Sequence, residues 1–149
     1  MRRLRSKLMG TEGGSFVELA LILPLFLLIF VPTVDIGRAI YMSIEVAAAA
    51  QAGAAYGIQN PTDVSGMQSA SAAGISNLPG VSATAAYGCE CSDGTSASAS
   101  CATTPTCTYN YVNYVDVVAS APYSTTFNYP GLPSSLTISR EIRLRVGGN

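Results

Sequence analysis

Residues 13–34 read GGSFVELALILPLFLLIFVPTV, an apolar stretch interrupted by one carboxylate, Glu18, near its start. Ser15 to Val34 is 20 residues, and at about 1.5 Å per residue a helix of that length spans roughly 30 Å, the hydrocarbon thickness of a bilayer. The stretch is long enough to cross. Ahead of it, MRRLRSKLMGTEGG holds Arg2, Arg3, Arg5 and Lys7, four of the chain's eight cations, the bias expected of a flank kept in the cytoplasm. The rest of the chain is therefore expected on the far side.

A conventional cleaved signal peptide needs small residues three and one positions before a cut just past the apolar run. Residues 32–38, PTVDIGR, offer no such pair, and the alanine cluster Ala47 to Ala50 lies too far on. Glu18 has two readings. A carboxylate at mid-helix in hydrocarbon costs about 2.5 to 3.5 kcal/mol, but Glu18 is only three residues past Ser15, about 5 Å along a helix, and is affordable as an interfacial acid. Alternatively, a cut after Gly13 makes Gly14 the new N-terminus and Glu18 its fifth residue. The freed α-amine, with a pKa near about 7.7 to 8.0, is then a cation at the depth of Glu18, in the same chain or a neighbour. A short basic leader, a glycine, and a glutamate five residues on before an apolar helix is the pattern of type IV pilin precursors, which a prepilin peptidase cleaves on the cytoplasmic side.

Read through to Tyr56, the string SFVELALILPLFLLIFVPTVDIGRAIYMSIEVAAAAQAGAAYG resembles the N-terminal domain of the TadE-like family, pseudopilins of the tight-adherence (Tad/Flp) pilus system. The matching landmarks are Val17-Glu18-Leu19-Ala20-Leu21, Pro24 within the apolar run, Asp35-Ile36-Gly37-Arg38 with Tyr41, and Ala49-Ala50 through Gly53-Ala54 to Tyr56. The family usually places an aromatic residue directly after the glutamate and often a glutamate and an aromatic before the Gly-Arg pair; Leu19, Asp35 and Ile36 depart from that. The resemblance implies cleavage between Gly13 and Gly14, an assembly and processing role for Glu18, and helix packing through Pro24, Gly37, Arg38 and Gly53. It also implies partners: other minor pilins or pseudopilins, the major Flp pilin, the prepilin peptidase and the inner-membrane assembly platform.

The charges narrow the function classes further. Without residues 1–13, which hold four cations and Glu12, the chain has 4 cations against 8 acids and a net charge of −4, the opposite of a nucleic-acid footprint. Arg140, Arg143 and Arg145 cluster beside Glu141 and read as the solvated edge of a strand rather than a phosphate site. No histidine is present, which removes the commonest general base and metal ligand. No G-x-S-x-G elbow, P-loop or G-x-G-x-x-G occurs, and the acids are scattered. The expectation is a protein without catalytic residues, cofactor or metal.

Beyond the anchor, Asp35 to Gly57 keeps helical character, with Ile36, Ile40, Ile44 and Ala47 on one stripe. Small residues over Ala47 to Ala55 allow close approach, either to the chain's own globular domain or to other subunits. Pro24 and Pro32 remove backbone donors within the apolar run and favour kinks, which membrane helices tolerate. Gly57 and Asn60-Pro61 stop the helix. Thr62 or Asp63 caps a second helix over Val64 to Asn77, ended by Leu78-Pro79-Gly80. Strands are predicted over Val81 to Tyr87, Tyr109 to Ser120 and Leu136 to Val146, the last alternating cleanly except for Arg140 on its apolar side. Pro122 to Ser135 is expected as a loop. Tyr109, Tyr111 and Tyr114 read as strand and core formers with hydroxyls at the surface.

Cys89, Cys91, Cys101 and Cys107 lie in a Ser, Thr, Ala and Gly-rich insertion. Export to an oxidising compartment favours two disulfides. A Cys89–Cys91 bridge would be strained, so Cys89 is expected to pair with Cys101 or Cys107, and Cys91 with the other. A Cys₄ zinc site is the alternative, but C-x-C with long gaps is not the paired C-x-x-C knuckle.

The fold class that follows is α+β: a basic leader over 1–13, a transmembrane and pilin-type helix over 14–57, and an exported domain over 58–149. That domain joins a short helix and a small antiparallel sheet to a disulfide-bonded loop at about 88–108. The expected function is that of a minor pilin or pseudopilin of a Tad/Flp pilus, in assembly or initiation, with adhesion at a tip compatible with it. It would sit single-pass in a bacterial inner membrane, in contact with lipid, or be incorporated into an extracellular pilus. The alternative is a permanently anchored membrane protein with an exported ligand-binding domain.

Overall fold

The computed structural model describes residues 14–76, 78, 80–127 and 133–147. The basic leader and Gly13 lie outside the described residues. Helix α1, Gly14–Gln59, runs 46 residues through Pro24 and Pro32. Each proline lacks the N–H that would reach back one turn, yet the helix is continuous through both.

The chain divides into two compact units, residues 1–38 and residues 39–149. In the first, the apolar run is bare: its large side chains from Phe16 to Phe30 are 46 to 76% exposed. The helix is long and apolar enough to cross a membrane.

The second unit is a sheet with the rest of α1 and a short helix α2, Val64–Ala73, packed on one face. The sheet has four antiparallel strands: β1 Ser82–Cys91, β2 Ala97–Ser98, β3 Tyr111–Ser124 and β4 Ser135–Val146, in the order β2-β1-β3-β4. Register sets the inner face row by row. Tyr87 pairs with Val115 and Val115 with Leu144, then Ala85 with Val117 and Val117 with Ile142, then Ala83 with Ala119 and Ala119 with Arg140. One core cluster gathers Val46, Ala49 and Ala50 of α1 with Ala119, Ala121 and Ile75; a second gathers Ala54 and Met67 with Val115, Val117 and Val146. Alanine faces alanine across much of this contact. Helix and sheet therefore approach closely, and the burial comes from many small contacts rather than a few large side chains.

The elements differ from their predicted bounds in ways the packing explains. Helix α2 stops at Ala73 with Gly74 as its C-cap, and Asn77, its predicted end, lies outside the described residues. Strand β1 continues past Tyr87 to Cys91. Gly88 permits this, because a Cβ there would collide with the Tyr114 ring, which lies across it. Strand β3 runs on through Pro122 to Ser124 where a loop was expected. Pro122 pairs with Thr137 of β4 beyond the end of β1, whose first residue, Ser82, pairs with Ser120; a proline is tolerated where a strand is bonded on one side only. The two-residue β2 was not expected.

Arg140, the one break in the apolar side of β4, sits in the row of alanines and donates to the Ser43 hydroxyl of α1. On the opposite face, Arg145 Nε donates to Glu90 at 2.7 Å and Arg143 reaches Asp116 at 3.1 Å and Glu141 at 3.4 Å. The Arg143 guanidinium also lies 4.5 Å from the centre of the Tyr114 ring. Arg143 and Arg145 are thus neutralised by acids on three strands. Tyr114 is buried and donates to the Ser98 carbonyl, whereas Tyr109 and Tyr111 are exposed rather than core residues.

Candidate assembly helix and its processing end

Helix α1 begins at Gly14, and Glu18 lies four residues on, exposed and just past the first turn. At 1.5 Å per residue this puts its carboxylate about 6 Å along the axis from the first helical residue. Of the predicted cleavage pair, Gly13 lies outside the described residues and Gly14 has open space where a Cβ would stand. Deeper in the run the Phe26 and Phe30 rings stack with centres 5.6 Å apart, and the Thr33 hydroxyl donates to the Ile29 carbonyl at 2.8 Å. This is the way a hydroxyl is kept satisfied on an apolar helix. The Asp35-Ile36-Gly37-Arg38 landmark holds an i,i+3 ion pair, Arg38 Nη1 to Asp35 at 3.5 Å, with the Asp35 side chain largely buried.

The remaining helix-packing positions separate by face. A Cβ on Gly53 would stand 2.8 Å from the Met67 carbonyl oxygen and 3.0 Å from both Ser71 Cβ and Val117 Cγ1. Gly53 is therefore the point where α1, α2 and β3 meet. Gly57, one turn on, meets Met67 and Val115 in the same way. Gly37 has nothing within 4 Å of its Cβ position.

The predicted stripe is not the one that packs on the sheet. Ile36, Ile40 and Ile44 are 57 to 61% exposed; the buried face runs through Val46, Ala49, Ala50, Gly53, Ala54 and Gly57. Those positions recur at three- and four-residue spacing, and that periodicity of small residues was the sequence signal for them. The face that the domain leaves open carries Ile36, Ile40, Tyr41 and Ile44.

At the far end of α1, the Tyr56 hydroxyl donates to Asp63 at 2.8 Å, and the Asp63 carboxylate accepts from the Gly66 N–H and Ser65 hydroxyl at 2.9 Å, capping α2. These donors, the Gly66 N–H foremost, hold the Asp63 carboxyl below its ordinary range. Disulfides join Cys89 to Cys101 and Cys91 to Cys107, one of the two connectivities left open by the spacing. Both β1 cysteines lie within the strand itself, so the bridges tie the loop to the end of the sheet. Among the described residues no cluster of His, Cys, Asp or Glu could hold a metal.

No curated protein and no solved structure matches the chain. The family model described as TadE-like protein matches residues 13–55, a stretch that lies almost wholly within α1 and stops short of its end.

Proposed function

We propose that this protein is a minor pilin or pseudopilin of a Tad/Flp-type pilus, acting in pilus assembly or initiation. The observation that carries the reading is a single helix with two separate employments. Its residues from Val46 to Gly57 bury a face of small side chains in the protein's own domain, while the part of the helix ahead of them carries exposed apolar side chains, and the TadE-like match covers most of both parts. A plain anchor needs only the apolar run; the open Ile36, Ile40 and Ile44 face beyond it is suited to neighbouring helices.

In this reading a prepilin peptidase cuts after Gly13, and Glu18 then meets a freed α-amine, its own or that of the adjoining subunit. Charge neutralisation in hydrocarbon offsets the cost of burying the carboxylate. The partners are the other pseudopilins, the major Flp pilin and the inner-membrane platform. The disulfide-bonded domain faces away from the cytoplasm, where adhesion at a tip is open to it.

The experiment is the mature N-terminus and intact mass of membrane-extracted protein, with and without the peptidase. The expected start is Gly14, with Met1 retained when the peptidase is absent. A Met1 start in the presence of active peptidase would reject the pilin pathway and leave a permanently anchored protein with an exported domain.

A further inference from the structure

We infer that the outward face of α1 within the domain unit is a pairing seam for a second copy of this chain, the two helices lying parallel and in register from Tyr41 to Ile58. This deepens the pilin reading by naming the occupant of the open face, and rests on it for the membrane that holds two chains together.

The seam is a heptad pattern on the side of the helix that the domain does not use. Tyr41, Ile44, Ala48, Gln51, Ala55 and Ile58 follow one another at spacings of three, four, three, four and three, the alternation of a and d positions in a coiled coil. All six are exposed, with Tyr41 at 63%, Ile44 at 61% and Ile58 at 50%. At about 100° per residue they fall within an arc of about 100°. The buried face, Val46, Ala49, Ala50, Gly53, Ala54 and Gly57, lies on the far side of the same turns. A helix docked on the seam therefore approaches α1 from the side away from the sheet.

The chemistry of the seam selects an identical helix. Between Arg38 and Asp63 the sole charged residue is Glu45, which is hydrogen-bonded to Tyr41 of its own helix. Glu45 takes an e position, and in a parallel pair e faces the g position of the other helix, here Ile40 of the second copy, so no like charges meet. Gln51 is the one polar member of the seam, at a central d position. A side-chain amide carries both donor and acceptor, and in a parallel, in-register pair each Gln51 meets its twin and the two amides bond. In the antiparallel pairing Tyr41 faces Ile58 and Gln51 faces Ala48, which leaves the amide's bonds unmade at a cost. A single polar core position fixes register and orientation in this way. The small side chains of Ala48 and Ala55 let the two helices come close on either side of it. Tyr41 to Ile58 is 18 residues, fewer than the three to four heptads that mark a free coiled coil. The pairing therefore belongs to chains confined in one membrane, where tethering raises their effective concentration.

All four cysteines are paired in disulfides, so one added thiol reports its own contacts. Ile44→Cys, Gln51→Cys, Ile58→Cys and, exposed on the outer face of the sheet, Thr84→Cys are made separately in the full-length chain. Intact mass checks that each variant keeps both native disulfides. The variants are expressed without other pilus components, and membranes washed in alkaline carbonate are oxidised with copper phenanthroline. The expected result is a cross-linked dimer from I44C, Q51C and I58C at least about fivefold more abundant than from T84C, because in register each thiol faces its twin. Adding Gln51→Glu to I58C should lower that dimer at least about fivefold at neutral pH, since two carboxylates then oppose each other. In an antiparallel pair the I58C thiols stand about 25 Å apart, so a dimer from Q51C with none from I44C or I58C overturns the inference. Adducts of I44C or I58C with a different chain when the other pilus components are restored, and no homodimer, mean that another protein covers the face, which also overturns it. A membrane-held chain with no cross-link above that of T84C overturns the seam and leaves the span standing. A chain that carbonate strips from the membrane removes the anchor, and the pairing with it.

Discussion

At Gly53 there is no room for a side chain, because the nearest obstacle is a backbone oxygen, Met67 O, rather than a flexible tip. We predict that Gly53→Ala lowers unfolding stability by about 1 to 3 kcal/mol through overpacking, measured by urea titration of the detergent-solubilised chain. Gly37→Ala, whose added Cβ meets nothing within a helix interior, does not lower stability in the same titration and raises it by up to about 1 kcal/mol. Asp63 makes a pH-dependent contribution. Its folded pKa lies below the ordinary value of 3.8, so the stabilisation is present above that value and is lost as pH falls through the lowered one. Asp63→Ala should therefore reduce the midpoint of thermal unfolding at neutral pH, and the difference from the parent should vanish in acid. Glu18 and Gly14 were legible as residues because their spacing is a motif. The packing at Gly57 and Gly88 was not, since it is set by neighbours on other elements, and the Tyr56–Asp63 bond was not, since it depends on the turn between α1 and α2.

The helix α1 shows what periodicity can and cannot decide. Its existence, and an end near Gly57, follow from the apolar run, the alanines and Asn60-Pro61. The choice of face does not. Hydrophobicity favours the isoleucine stripe, whereas the sheet accepts the alanine and glycine stripe, because β3 presents Ala119 and Ala121 and the close approach excludes larger groups. The strands were legible in their alternation and misread at their ends for a related reason: Gly88 and Pro122 look like stops until the register shows what lies beside them. The two faces give opposed predictions. Ile40→Ser with Ile44→Ser should shift domain unfolding by less than about 0.5 kcal/mol, as exposed substitutions do, while sharply lowering the filament yield in sheared-pilus preparations. Ala50→Leu should do the reverse first, destabilising the domain by about 1 to 3 kcal/mol.

Across the whole molecule, the two disulfides are the device that lets so small and alanine-rich a domain hold a Ser- and Thr-rich loop. Replacing Cys91 and Cys107 by serine should cost about 2 to 4 kcal/mol, read as a lower urea midpoint, and added reductant should lower it further by a similar amount, because the Cys89–Cys101 bridge closes a loop of comparable length. The disulfide-bonded sheet was legible from cysteine count and compartment; the choice between two pairings needed the strand, which sets Cys89 beside Asn113 and Cys91 beside Tyr111. One further consequence belongs to α1. The same unbroken helix carries the apolar run and, from Val46 to Gly57, the inner wall of the domain. Tension applied along it is delivered to the sheet in shear, across all the alanine contacts at once, rather than peeling them apart one by one. A domain built this way yields late under load, and the end of the sheet at Cys89 and Cys91 is clamped by covalent bonds that force does not readily open.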